Sequence, residues 1–136
     1  MQFRLSYQEV DQMINSKTGH SLPMCFGGTH TLRISYQVNM FIKSSSVGLD
    51  INVDQIDGNN LYLSYSGGIA IEMMVRTALN RVKGQPGADM IEMLSNNRLL
   101  IALGRSPQLS QIFERVTLDD IYFDEKFIII EFHAKS

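Results

Sequence analysis

The chain has 136 residues, 44% of them hydrophobic and 19% charged, with a formal net charge of −2. That length suits one domain spanning residues 1–136 and a core that needs no covalent staples, and the composition excludes a disordered chain. Lys and Arg are scattered rather than clustered, which argues against nucleic acid as a partner, because phosphate backbones are held by concentrated positive charge.

No run approaches the ~20 apolar residues that span a bilayer, so no integral membrane segment is expected. The opening residues, MQFRLSYQEV, lack the continuous apolar stretch of a secretory signal. A cytoplasmic location is the resulting expectation. A single cysteine cannot form an intramolecular disulfide, so stability must come from packing.

In chain order, Ser6 to Glu9 reads as a capping box: a hydroxyl that accepts from a helix amide and a carboxylate that reaches back. Val10, Met13 and Ile14 follow at helical spacing and Gly19 is placed to stop the helix, which is predicted over Tyr7 to Lys17. Leu32, Ile34, Tyr36, Val38, Met40 and Ile42 then alternate with polar residues, the period of a long strand with one face on the core. The residues SSSVG interrupt the pattern, and Val47, Leu49, Ile51 and Val53 resume it. Asp57 to Asn60, DGNN, is a turn signal, and LYLSY returns as a third, antiparallel strand.

After Gly67-Gly68 the period changes. Ile69, Met73, Arg76 and Asn80 fall on one line of a helix running to Val82, with Ile71, Met74, Val75, Ala78, Leu79 and Val82 on the rest of its circumference. Its first two turns are apolar nearly all round, which predicts a largely buried helix. Arg81, Lys83 and Gly84 suit its C-terminal end. The residues from Met90 to Leu94 fit either a helix or one arm of a hairpin turning at Asn96-Asn97, while Leu99, Ile101 and Leu103 alternate as a strand. Ser106 as cap and Pro107 at the first helical position predict another helix, with Leu109, Ile112, Phe113 and Val116 facing inward. A hairpin turning at Asp124 to Lys126 ends the chain. Short connections between strands make the fold class α+β: a curved antiparallel sheet of long strands packed on a buried apolar helix, with short additional helices.

His20, Cys25 and His30 are the residues that first suggest chemistry. Their spacing matches no zinc-ligand pattern, and nothing in the sequence supplies Cys25 with an oriented base. The segment reads better as a loop, with Leu22, Met24, Cys25 and Phe26 tucked against the core. Asp50 and Asp54 share the solvated face of a strand, and Asp119, Asp120, Asp124 and Glu125 sit at turns, where Asp makes local hydrogen bonds. The pairs of glycines in FGGT and SGGI match no phosphate-binding fingerprint. No catalytic residue, metal or cofactor is called for, so the chain does not read as an enzyme.

Methionine is the richer signal. Met73 and Met74 lie on the apolar helix, and Met40, Met90 and Met93 on neighbouring apolar elements. Unbranched and polarizable, methionine adapts to irregular apolar partners. The run VGLDINVDQIDGNNLYLSYSGGIAIEMMVRTALNRV, followed by RLLIALGRSPQLSQIFERVTLDDIYFDEKFIIIEFHAK, resembles small members of the tubular lipid-binding (TULIP) superfamily in its order of elements. The resemblance implies a curved antiparallel sheet wrapped around an apolar helix, with a lipid in the groove between. The expected function is therefore non-catalytic binding of a lipid or fatty acyl chain near Met40, Ile69, Met73, Met74, Leu99 and Ile101. The rival expectation is a module that self-associates as a homo-oligomer or takes a protein partner through sheet edges, the terminal strand among them.

Overall fold

The computed structural model describes residues 1–19, 21–39, 44–81, 83–84, 88–94 and 97–135. Among them are nine strands and three helices. The strands are β1 (Gln2–Ser6), β2 (Met24–Gly28), β3 (Thr31–Asn39), β4 (Ser44–Asp57), β5 (Asn60–Ser66), β6 (Ile91–Met93), β7 (Arg98–Ala102), β8 (Val116–Phe123) and β9 (Phe127–Ala134). The helices are α1 (Tyr7–Thr18), α2 (Ile69–Arg81) and α3 (Pro107–Phe113), with 3-10 turns at Ala88–Met90 and Leu103–Arg105. All strand pairings are antiparallel and the fold is α+β.

Two open sheets replace the single sheet expected. One has six strands in the order β2-β3-β4-β5-β7-β6, the other three in the order β1-β9-β8. The terminal strand β9 is thus the middle of its sheet and not an edge, because β1 adds to its far side. The strand character of β1 is hidden in sequence by its five-residue length and by the capping box that begins at its last residue.

Local chemistry sets most boundaries. Ser6 Oγ accepts from the N–H of Glu9 at 3.1 Å and Glu9 Oε1 accepts from the N–H of Ser6 at 3.1 Å, closing the capping box of α1. Gly19, at φ 77°, stops that helix in the left-handed conformation. Ser106 caps α3 and Pro107 opens it. Ile112, expected to face inward, is nevertheless exposed. The residues Ser44–Ser46 do not interrupt the sheet: they pair with Asn39, Val38 and Gln37, so ladder hydrogen bonds override a weak strand preference.

Buried residues come from both sheets: Ile34, Leu61, Tyr65 and Ala102 from the larger, Leu118, Phe123 and Ile129 from the smaller. The β2–β3 turn joins the sheets, since Thr29 O accepts from the N–H of Phe123 at 2.8 Å and the His30 ring meets the Asp120 carboxylate at 3.2 Å. The expectation of a largely buried α2 is not met. Ile69 is 79% exposed and Met73 61%. An open sheet covers only one stripe of a helix laid upon it, which leaves the opposite stripe outside.

Candidate functional site

One face of the six-stranded sheet is apolar from edge to edge. Ile34 stands opposite Leu49, Ile51 opposite Tyr65, Leu63 opposite Leu99, and Leu61 opposite Ile101, and directly opposed residues share a face. Helix α2 lies over this face. Ile71, Met74, Val75 and Ala78, at the i, i+3, i+4, i+7 spacing of one helical stripe, turn toward it. Between stripe and sheet is a pocket of about 280 Å³, lined by those four residues with Leu22, Ile34 and Leu49. Every lining side chain is hydrocarbon or thioether.

Three local devices hold the pocket in shape. At the start of α2, Gly68 takes φ 90°, and Gly67 passes so near β4 that a Cβ there would stand 2.8 Å from Gly48 O. Along the flank of α2, Asn97 forms a clasp. Arg76 Nη2 donates to Asn97 Oδ1 at 2.9 Å, Asn97 Nδ2 donates to Glu72 Oε1, and Asn97 O accepts from the N–H of Tyr65 at 3.0 Å. Asn97 sits at φ 58°, a conformation that Asn tolerates better than most residues. At the far end, Asp11 of α1 fixes the segment carrying Leu22: its carboxylate accepts from the N–H of Leu22 at 2.6 Å and from the Ser21 hydroxyl at 2.9 Å.

Of the residues expected near a ligand, Met74 lines the pocket. Ile69 and Met73 lie on the outer side of the same helix. Leu99 and Ile101 share the apolar face but stand on β7, beyond β5 from the pocket. Met40 lies outside the described residues, as does Val82. The sequence sets Ile69 and Met73 on a different line of the helix from Ile71, Met74, Val75 and Ala78, but it does not say which of the two faces the sheet. Heptad-like spacing carried the signal, since only the stripe of Ile71, Met74, Val75 and Ala78 continues without a polar residue.

The His20-Cys25-His30 segment resolves differently. His20 and the hairpin position Asn96 lie outside the described residues. Met24 to Gly28 form a strand rather than a loop, and Cys25 stands opposite Arg33, exposed rather than tucked inward; Phe26 is exposed too. Period two explains Cys25, because Met24 faces the core and its neighbour must then face water; Phe26 shares the side of Met24 and is exposed on β2, the edge strand of its sheet. His30 reaches Asp120, on the other sheet. Among the described residues no group of three or more His, Cys, Asp or Glu is placed to hold a metal ion. The solvent face of β4 carries a polar row instead: Arg33 Nε donates to Asp50 at 2.8 Å, the Thr31 hydroxyl to Asn52 at 2.6 Å, and the Ser64 hydroxyl to Asp54 at 3.1 Å.

No described helix is long and apolar enough to cross a membrane. No protein-family model matches the chain, and no curated protein or solved structure matches it significantly.

Proposed function

We propose that the protein is a non-catalytic carrier that binds the apolar part of a lipid or fatty acyl chain in the pocket between α2 and the six-stranded sheet. The observation that carries this reading is the lining: about 280 Å³ bounded by Leu22, Ile34, Leu49, Ile71, Met74, Val75 and Ala78, with no polar side chain among them. Such a lining offers an apolar ligand dispersion contacts that water cannot supply. The size lies near the lower end for ligand pockets, which suits one short chain or the tip of a longer one. Met74 lets the wall adapt to chains of different length.

The order of elements that resembles the TULIP superfamily supports the same reading in so far as an apolar helix lies on an antiparallel sheet, here an open sheet that lies under α2 without wrapping around it. An exposed, unpaired Cys25 is compatible with a reducing compartment and so supports the cytoplasmic location expected from the sequence. Gentle purification, denaturation and extraction into organic solvent, followed by mass spectrometry, should recover a stoichiometric lipid. Ligand-free protein that also fails to take up a fluorescent fatty acid would overturn the reading.

A further inference from the structure

The three-stranded sheet ends on β1, and the phase of its backbone is fixed. The Met1 ammonium donates to Phe132 O at 2.7 Å and the N–H of Phe132 donates to Met1 O at 2.9 Å. With Phe3 opposite Ile130 and Leu5 opposite Ile128, these too are the hydrogen-bonded pairs of the ladder. The N–H and C=O groups of Gln2, Arg4 and Ser6 therefore point away from β9. The N–H of Ser6 is taken by Glu9 of the capping box, which leaves Gln2 and Arg4 to present an open edge. Gln2, Phe3 and Arg4 are all exposed, Phe3 by 52%, and Met1 by 65%.

We propose that β1 pairs antiparallel with β1 of a second copy, about a two-fold axis at Phe3, joining two three-stranded sheets into one of six strands. The outward backbone groups select this register. Pairing Gln2 with Arg4 of the other copy, twice by symmetry, makes both the hydrogen-bonded pairs that the edge can offer. Centring on Arg4 would oppose two guanidinium groups and call on the Ser6 amide already in use. Centring on Gln2 would leave both Arg4 edges unpaired. In the chosen register Phe3 meets its own copy in a non-hydrogen-bonded pair, where side chains approach most closely. Met1 falls opposite Leu5, so the exposed Met1 of each strand covers the half-buried Leu5 of the other.

Charge agrees with this choice. Glu131, opposite Gln2 on β9, accepts from the Tyr122 hydroxyl at 2.7 Å and faces the same side of the sheet as Gln2. Arg4 Nε donates to Oε1 of its own Gln2 at 2.9 Å, and in this register that guanidinium stands opposite Gln2 of the other copy, on the side of the sheet that carries Glu131, so no like charges are opposed. This association does not depend on what the α2 pocket holds.

Light scattering behind a sizing column, from micromolar to millimolar protein, tests it. The mass should rise toward twice the 15.4 kDa of one chain. Arg4→Pro should hold the mass at one chain, because it removes an outward N–H that β9 does not use and puts a ring on the edge. Crosslinking decides the register in a Cys25→Ser background. Phe3→Cys puts two Cα atoms ~4.5 Å apart, within disulfide range, and should form a covalent dimer on mild oxidation. Gln2→Cys should not, its copy being displaced by about 7 Å along the strand. A mass of one chain throughout, a dimer that survives in a folded Arg4→Pro variant, or equal crosslinking at both positions would overturn the proposal.

Discussion

Gly67 and Gly48 meet backbone to backbone: a Cβ built on Gly67 would lie 2.8 Å from Gly48 O and 2.9 Å from Ile71 Cγ2. The strand-to-helix turn is therefore drawn tight against β4, and this contact sets how closely α2 approaches the apolar face. Gly67→Ala should force helix and strand apart, at a cost of about 1–3 kcal/mol. Urea unfolding measures it, and a midpoint equal to that of the parent chain would contradict the close packing of this turn.

The pocket gives a prediction with two signs. Ala78→Leu adds side chain to the space under α2, so stability should rise by about 0.5–2 kcal/mol, as cavity filling commonly gives. Uptake of a fluorescent fatty acid should fall at least about tenfold, the equivalent of ~1.4 kcal/mol. Binding that is unchanged in a stabilised variant would place the ligand elsewhere.

The clasp at Asn97 separates side chain from backbone. Asn97→Gly keeps the left-handed conformation but loses the bonds to Arg76 and Glu72, whereas Asn97→Ala loses both. Both variants should be less stable than the parent, the alanine by a further ~1 kcal/mol. Comparison of their thermal unfolding checks the order.

Acid should weaken the terminal hairpin. Asp124 Oδ1 accepts from the N–H groups of Lys126 at 2.8 Å and Phe127 at 2.7 Å, and these bonds hold its carboxyl below the ordinary carboxylate range. A folded pKa lower than the unfolded one stabilises above the unfolded value, ~3.9, and that contribution disappears as pH falls through the folded value. Asp124→Asn should therefore be less stable than the parent at pH 7, with the gap closing below about pH 4. A gap that persists at lower pH would exclude the charge as its source.

The helix cap is the simplest test of local chemistry. Ser6→Ala removes the acceptor for the Glu9 amide and should cost about 1 kcal/mol. Loss of helical circular dichroism on mild heating reports it.

Much of the architecture was legible because it is local. Alternation from Leu32 onward, the DGNN turn, the capping box at Ser6 and Pro107 after Ser106 each carry their conformation in a few neighbouring residues, and each element forms where those residues lie. Strand β2 was missed because Pro23, Gly27 and Gly28 resemble a loop; it exists because Met24, Cys25 and Phe26 find Ile34, Arg33 and Leu32 across a hairpin. The candidate site was legible only in part. Met74 follows from its place on an apolar helix, but Leu22 joins through Asp11, a contact across eleven residues that no local pattern announces.

The sequence by itself determined the α+β class, the long antiparallel strands and the apolar helix, because hydrophobic period and cap chemistry act over a few residues. Only the tertiary structure decided that the strands divide into two open sheets and that β9 lies between β1 and β8. It alone decided which stripe of α2 faces the sheet. Those outcomes depend on pairing between residues far apart in the chain, with Phe3 against Ile130 and Gly67 against Gly48, and such pairing is selected by backbone hydrogen bonds and close packing that leave no periodic trace in the residues themselves.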